Sequence, residues 1–164
     1  MSGFALKSEL SSIVANGAQT LSYTDLWDAY VSTDDKYGKG EKIWDMYSDI
    51  HDPNNPNVPD AVQPNEYEYV IIADQCGNYS SEGDCYNREH SFPKSWFNDA
   101  SPMYTDLHQV VPTDGKVNGQ RSNHPFAEVN ASWTSVNGSK LGSSTTSGYS
   151  GTAFEPIDEY KGDF

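Results

Sequence analysis

The sequence predicts an α+β fold with two helices near its N-terminus, a strand–strand–helix core at about residues 86–126, and long irregular loops. Three observations predict it. Apolar residues recur at helical spacing before residue 32, segments with strand-like patterns follow, and loops rich in Pro, Asn, Ser and Gly separate them. At 164 residues the chain is long enough for one domain with a real core, and we expect a single domain over residues 1–164.

The N-terminal segment predicts two helices that build the core. The first runs from about residue 4 to 15, because its apolar residues return at the i, i+4, i+7 and i+8 positions of one face: Leu6, Leu10, Ile13 and Val14. The second is DLWDAYV, for which Thr24 is the expected N-cap. Its apolar residues also share one face.

Two short strands are expected next, in IWDMYSDI and in EYEYVIIA, which turns from alternating to fully apolar. The segment between them has four prolines and predicts an exposed loop, with His51 as a solvated turn residue. The last third, at about residues 127–152, is rich in Ser, Gly, Thr and Asn. We expect irregular structure there, held in place by Trp133, Leu141 and Tyr149.

The core begins with NREHSFPKSWF, where Glu89 precedes His90. A carboxylate beside an imidazole can serve a metal, a proton transfer or neither. Neighbours on a regular strand point to opposite faces. Both side chains can therefore reach one site only if the strand ends or bulges there, and Pro93 makes an ending plausible.

The second half of the core, DLHQVVPTDGKVNGQRS, reads as strand, turn and helix. Asp106 and His108 share a strand face, as a structural pair or as direct catalytic support, and Pro112 is expected to end the strand. Thr113 is the expected N-cap of a helix that carries Asn118 and Arg121 on one face. Asn and Gly are poor helix formers, and their presence in mid-helix favours a site.

The formal charge of −14, from 10 basic and 24 acidic residues, argues against broad electrostatic attraction of nucleic acid. Residues 86–126 have a formal net charge of zero, however, so the whole excess of negative charge lies outside the core. That window holds four basic and four acidic residues: Arg88, Lys94, Lys116, Arg121, Glu89, Asp99, Asp106 and Asp114. A bound divalent cation would make the site locally positive.

Cys76 and Cys85 lie nine residues apart without any CxxC pair. A local disulfide is the preferred interpretation, and it would stabilise the fold by roughly 2 to 3 kcal/mol and indicate an oxidising compartment. Two buried thiols are the alternative. No apolar run approaches the ~20 residues of a membrane span, and no signal peptide is visible at MSGFALKSEL.

Four strings carry a family resemblance: WDMYSD, CGNYSSEGDCYNREHSFPKSWF, DLHQVVPTDGKVNGQRSN and FEPIDEYKGD. They resemble the bacterial endonuclease I family of secreted and periplasmic deoxyribonucleases, within the ββα-metal (His-Me finger) nucleases. The resemblance implies that His90 is the general base, and that Glu89 and Asn118 ligate Mg²⁺, with Mn²⁺ or Ca²⁺ as substitutes. It also implies a secreted or periplasmic nuclease without sequence specificity. We expect a monomer that acts on DNA, with RNA as a further substrate, to give 5′-phosphate products, and that has no membrane partner.

Residues 95–105 contain no basic residue, whereas some family members place an arginine there on the scissile phosphate. Arg121 is the expected substitute, with a helix-surface salt bridge as the alternative. Arg88, Lys94 and Lys116 are further candidates for phosphate contact, or solvated surface charges. Family chains usually continue past the KGD motif into another helix, so we expect part of the substrate groove to lie beyond Phe164.

Two other functions fit the sequence. The acidic, aromatic-rich surface is compatible with a non-catalytic secreted binding module. A structural zinc site would instead gather His90, His108 and His124 around one ion.

Overall fold

The structure is a computed structural model that describes residues 3–49 and 66–161. Over these residues the chain is α+β, with three α-helices and seven β-strands. In chain order they are α1 (Gly3–Ala15), α2 (Leu26–Thr33), β1 (Lys42–Ile43), β2 (Tyr69–Val70), β3 (Tyr86–His90), β4 (Val110–Asp114), α3 (Gly115–Arg121), β5 (Val129–Thr134), β6 (Lys140–Ser144) and β7 (Thr152–Glu155). Three 3₁₀ turns lie at Lys94–Trp96, Met103–Thr105 and Asp158–Tyr160.

The strands form three small antiparallel sheets, β1–β2, β3–β4 and β5–β6–β7. In the β3–β4 pair, Glu89 lies opposite Val111 and His90 lies opposite Val110. The chain passes from β4 directly into α3, so this pair and the helix form one compact unit. The predicted strand, strand and helix at about residues 86–126 are therefore present.

The buried core lies on both sides of that unit. One cluster joins Leu26 and Tyr30 of α2 to Tyr86 of β3 and Val110 of β4. The Tyr30 hydroxyl also donates a hydrogen bond of 3.1 Å to the Val110 carbonyl. The predicted second helix, which builds the core, is confirmed, although Asp25 and not the predicted Thr24 stands at its N-cap position.

The other cluster contains Tyr47, Val117 of α3 and Phe154 of β7. Trp133 and Leu141 pack against this cluster. Both were predicted to hold the last third of the chain in place. The two strands predicted in IWDMYSDI and EYEYVIIA, by contrast, are shorter than expected. They are β1 and β2, which have two residues each and pair with each other.

The predicted boundary between strand and helix in the core is wrong. Residues 106–109 form turns, and β4 continues through Pro112 to Asp114. A proline is tolerated because β4 pairs with one strand, β3, within the described ranges, so the other edge of β4 needs no N–H donor for a sheet. Asp114, and not Thr113, caps α3, because its side chain accepts a 2.8 Å hydrogen bond from the Val117 amide.

The prediction that α1 contributes to the core is also wrong. The helix forms at the predicted place, but it has no buried residue. Its apolar face, which includes Leu10 and Val14, stays exposed because no other described element covers it. Periodicity predicts that a helix forms, but it does not predict whether another element covers the apolar face of that helix.

The expectation of irregular structure in residues 127–152 is wrong as well. These residues form β5, β6 and the start of β7. The Asn137-Gly138 pair between β5 and β6, with Gly138 at φ 107°, is a hairpin signal that composition alone obscured. At Gly142 an added Cβ would lie 2.0 Å from the Asn130 carbonyl oxygen, so glycine is required where β6 passes close to β5.

The Cys76–Cys85 disulfide is confirmed. The predicted proline loop and His51 lie outside the described residues. None of the helices in the described ranges is long and apolar enough to cross a membrane.

Candidate active site

Glu89 lies near the end of β3 with only 2% of its surface exposed. Its Oε1 accepts a 2.6 Å hydrogen bond from the Tyr47 hydroxyl and lies 2.8 Å from Nη1 of Arg121. Burial raises the pKa of Glu89 to about 7, although the Arg121 charge and the Tyr47 hydroxyl oppose that rise. Glu89 is thus a carboxylate held in a closed, ionic environment.

Arg121 is 1% exposed and belongs to the same network. Besides the Glu89 carboxylate, its guanidinium donates to the main-chain carbonyls of His90, at 2.6 Å, and Ser91, at 2.5 Å. It also lies 4.5 Å from the centre of the Phe126 ring. These contacts tie α3 to the last residue of β3 and to the residue after it.

His90 has different neighbours from Glu89. Its Nε2 lies 3.1 Å from the main-chain carbonyl oxygen of Tyr104, and its ring stacks on that of Tyr104, with 5.6 Å between centroids. Tyr23 stacks beyond, at 6.0 Å. A carbonyl oxygen only accepts, so Nε2 carries the hydrogen and Nδ1 keeps its lone pair. Burial lowers the pKa of His90, which favours the neutral ring.

β3 ends at His90, and no bulge separates Glu89 from His90. The two side chains consequently contact different groups, Tyr47 and Arg121 for Glu89 and the aromatic rings for His90. They are neighbours at the end of the strand, and they do not contact a common group within the described residues.

Asn118 is half-buried on α3 and lies against β3. Its Nδ2 donates a 3.2 Å hydrogen bond to the carbonyl of Arg88, the residue before Glu89. In that orientation the amide nitrogen is bonded to the main chain, and Oδ1 has no hydrogen bond to any residue that the structure describes. The helix is held there by the Asp114 cap, which also accepts from the Gly83 amide at 2.8 Å and from the Tyr69 hydroxyl.

The donors beside β3 suit a hard divalent cation. A carboxylate on β3 and an amide oxygen on α3 are oxygen ligands, and Mg²⁺ is typically held by one or two such protein groups together with water. Glu89 and Asn118 therefore fit Mg²⁺ in donor chemistry. In residues 3–49 and 66–161 no three His, Cys, Asp or Glu side chains are grouped to hold a metal. The zinc site of His90, His108 and His124 is thus wrong.

The sequence model of the Endonuclease I family matches residues 2–164, which is nearly the whole chain. The chain belongs to the endonuclease I family. Two relatives, each named an extracellular ribonuclease, are similar to it. The one from Bacillus amyloliquefaciens is 34% identical over 164 residues, and the one from Bacillus subtilis is 31% identical over 163.

The alignments cover 99% and 98% of this endonuclease I family chain, but 46% of each relative. The chain thus spans about half the length of the curated relatives it matches. No solved structure matches it significantly.

The other basic residues of the core differ in their surroundings. The Arg88 guanidinium lies over the rings of Tyr23, at 3.7 Å, and Trp27, at 4.1 Å, and donates to the Tyr23 carbonyl. It holds the N-terminal region onto β3. Lys94 is about half exposed beside the Tyr104 ring, and Lys116 is partly exposed on α3.

The predicted strand pair of Asp106 and His108 is instead a turn. Oδ1 of Asp106 accepts a 2.9 Å hydrogen bond from the main-chain amide of His108, and the imidazole is exposed. Asp106 therefore orders the turn that precedes β4, and the His108 ring takes no part in it.

Sequence reasoning missed two groups that define the site. Tyr47, which holds Glu89, belongs to the WDMYSD string, so that string contained the signal. The Tyr104 carbonyl, which orients His90, is a main-chain atom and has no side-chain signature.

Proposed function

We propose that this chain is a metal-dependent nuclease with a ββα-metal core that hydrolyses phosphodiester bonds without sequence specificity. The observation that carries the proposal is the Tyr104 carbonyl at 3.1 Å from Nε2 of His90, which leaves Nδ1 as a proton acceptor at the end of β3. Membership of the endonuclease I family supports the reaction class. The neutral ring of His90 suits a general base near neutral pH.

In the proposed reaction a water molecule attacks the phosphorus while its proton passes to Nδ1 of His90. The bond between phosphorus and the 3′ oxygen breaks, the 3′ oxygen takes up a proton from solvent water, and a 3′ hydroxyl and a 5′-phosphate result. Glu89 and Asn118 would hold Mg²⁺, which supplies positive charge for the phosphate when it is bound. The phosphate has to lie across the end of β3, where Glu89 and His90 are consecutive residues.

Arg121 is better placed to position the site than to contact the phosphate. Its guanidinium is buried and is engaged with Glu89 and with the carbonyls of His90 and Ser91. We therefore propose it as a positioning residue for the end of β3. Lys116, which is more exposed, is the stronger candidate for phosphate contact. Lys94 is exposed as well, but its ammonium lies 3.7 Å from the Asp99 carboxylate.

RNA belongs among the proposed substrates together with DNA, because both relatives are named ribonucleases. Their names also state an extracellular location, and the Cys76–Cys85 disulfide suits an oxidising compartment. We propose that the protein acts outside the cytoplasm.

The test compares plasmid DNA and RNA digestion by the wild type, His90→Ala and His108→Ala, each with Mg²⁺ and with a chelator. Removal of a general base lowers the rate by roughly 10²- to 10⁴-fold. His108→Ala is the matched control, because its ring is exposed and makes none of the site contacts. Undiminished activity of His90→Ala would remove the assigned base. A metal-supplied wild type that cleaves neither substrate would favour the non-catalytic binding module.

A further inference from the structure

Directly after His90 the chain exposes two large aromatic side chains. Phe92 is 45% exposed and Trp96, in the 3₁₀ turn, is 49% exposed. Their rings meet edge to face with 5.2 Å between centroids, so they form one surface, which we call the aromatic pair. Aromatic side chains of this size are ordinarily buried, and a pair that keeps about half its area in solvent points to a ligand.

The aromatic pair is connected to the candidate base. Phe92 stacks on Phe97 at 6.2 Å and 23°, and the Phe97 ring lies 6.2 Å from the ring of His90. A substrate whose phosphate reaches Nδ1 of His90 would therefore carry its neighbouring groups toward this surface. Among those groups the nucleobases are flat and able to stack.

The charge of the protein is a second reason to expect that the aromatic pair binds nucleobases. At least six of the ten basic residues have a carboxylate within 4.0 Å: Lys36, Lys42, Lys94, Arg121, Lys140 and Lys161. With a net charge of −14, little cationic surface is left to bind the phosphates of a duplex. Stacking on aromatic rings does not depend on net charge and is typical of proteins that bind single strands.

We infer that Phe92 and Trp96 stack on unpaired nucleobases, so that the preferred substrate is single-stranded nucleic acid. The inference rests on the proposed nuclease function. In a duplex the faces of the bases are covered by their neighbours, so the aromatic pair discriminates between strands that offer a free base and strands that do not. RNA and single-stranded DNA share this chemistry.

The cleavage test uses kcat/KM on three substrates: a single-stranded RNA, a single-stranded DNA, and a duplex of the same DNA. One stacked base is worth roughly 5- to 150-fold. The Phe92→Ala/Trp96→Ala variant should lose that factor on both single strands and much less on the duplex. Trp96→Phe should retain most of the single-strand activity because the ring is kept. Tyr149→Ala, at a side chain 43% exposed in the turn between β6 and β7, is the control.

Thermal unfolding of each variant separates folding from binding. A loss of equal size on single strands and duplex, or no loss on any substrate, would overturn the inference. So would a Trp96→Phe variant that folds normally yet behaves like the alanine variant.

A binding test stands independently of cleavage. In a His90→Ala background, stacking on Trp96 should quench its fluorescence when a single-stranded oligonucleotide is added, and the matched duplex should quench less. In His90→Ala/Trp96→Phe that quenching should vanish while the oligonucleotide still binds. If the wild type cleaves nothing, the proposed function fails, and this measurement still decides whether the aromatic pair stacks on bases. Equal quenching with and without Trp96 would refute the stacking.

Discussion

Glu89 and Glu155 are nearly equally buried, at 2% and 3% exposed, yet their pKa values are moved in opposite directions. Burial raises the pKa of Glu89 to about 7, against one buried arginine. Burial also acts on Glu155, but hydrogen bonds from Lys140, at 2.6 Å, and Lys161, at 2.8 Å, lower its pKa to about 2.

The difference teaches that the exposed area of a carboxyl does not by itself decide how it titrates. Glu89 lies deep beneath the surface, whereas Glu155 lies just below it, beside lysines that reach solvent. The two lysines beside Glu155 keep part of their surface in solvent, so their charges remain solvated while they stabilise the anion. Arg121 is itself desolvated, so its attraction to Glu89 is offset by the cost of burying both charges. A buried carboxyl with a raised pKa, such as Glu89, is expected at a functional site. Glu155 instead stabilises the sheet.

The largest effect should come from breaking the buried ion pair. Arg121→Ala leaves the Glu89 carboxylate without its cation, and we expect a loss of about 3 to 5 kcal/mol in the free energy of unfolding at pH 8. The loss should shrink at pH 6, where Glu89 can take up a proton. Urea unfolding at the two pH values measures it. Lys161→Ala, at a partly exposed cation, is the control and should cost about 1 kcal/mol or less. Equal losses in the two variants would contradict the comparison.

A smaller effect is expected at Glu155. Its folded pKa of about 2 lies below the unfolded value, so the stability it contributes is present above about pH 4.3 and is lost as the pH falls toward 2. Glu155→Gln should lower the free energy of unfolding by about 1 to 2 kcal/mol at neutral pH, since the lysine charges are partly screened. The difference from the wild type should narrow between pH 4.5 and 2, and nuclease activity should persist. A constant difference across that range would mean that the carboxylate charge is not responsible.

The smallest expected effect is the number of protons released when Mg²⁺ binds. The raised pKa of Glu89 means that its stabilising, protonated form is present at low pH and is lost as the pH rises through about 7. Since only the carboxylate ligates a cation, Mg²⁺ binding near pH 7 should release a fraction of one proton. Calorimetric titration in two buffers with different ionisation enthalpies measures it. Glu89→Gln should abolish the release and Glu155→Gln should leave it intact, whereas release that survives in Glu89→Gln would assign it to another group.

Much of the core was predictable because its signals are local. The order of β3, β4 and α3, the position of Asn118 on the helix and the Cys76–Cys85 pairing follow from patterns within a few residues. The C-terminal sheet was not predicted, because its strands are rich in Ser, Thr and Gly and their pairing depends on the β5–β6 hairpin. Burial was the least predictable property. Arg121 reads as a surface residue in the sequence and is enclosed only because α3 packs on β3.

The close approach of the disulfide to α3 constrains how this protein can change over evolution. At Gly115, the first residue of α3, an added Cβ would lie 2.4 Å from Sγ of Cys76. Alanine is therefore excluded there as long as the cysteine remains. Replacing Cys76 and Cys85 by alanine removes that sulfur, but the added Cβ would still lie 3.0 Å from the Tyr79 ring, which would have to move before alanine at 115 could gain helix propensity over glycine. A side chain at position 115 is thus expected only in homologous sequences that have also changed positions 76 and 79, and a cysteine-free variant is best designed with Gly115 retained.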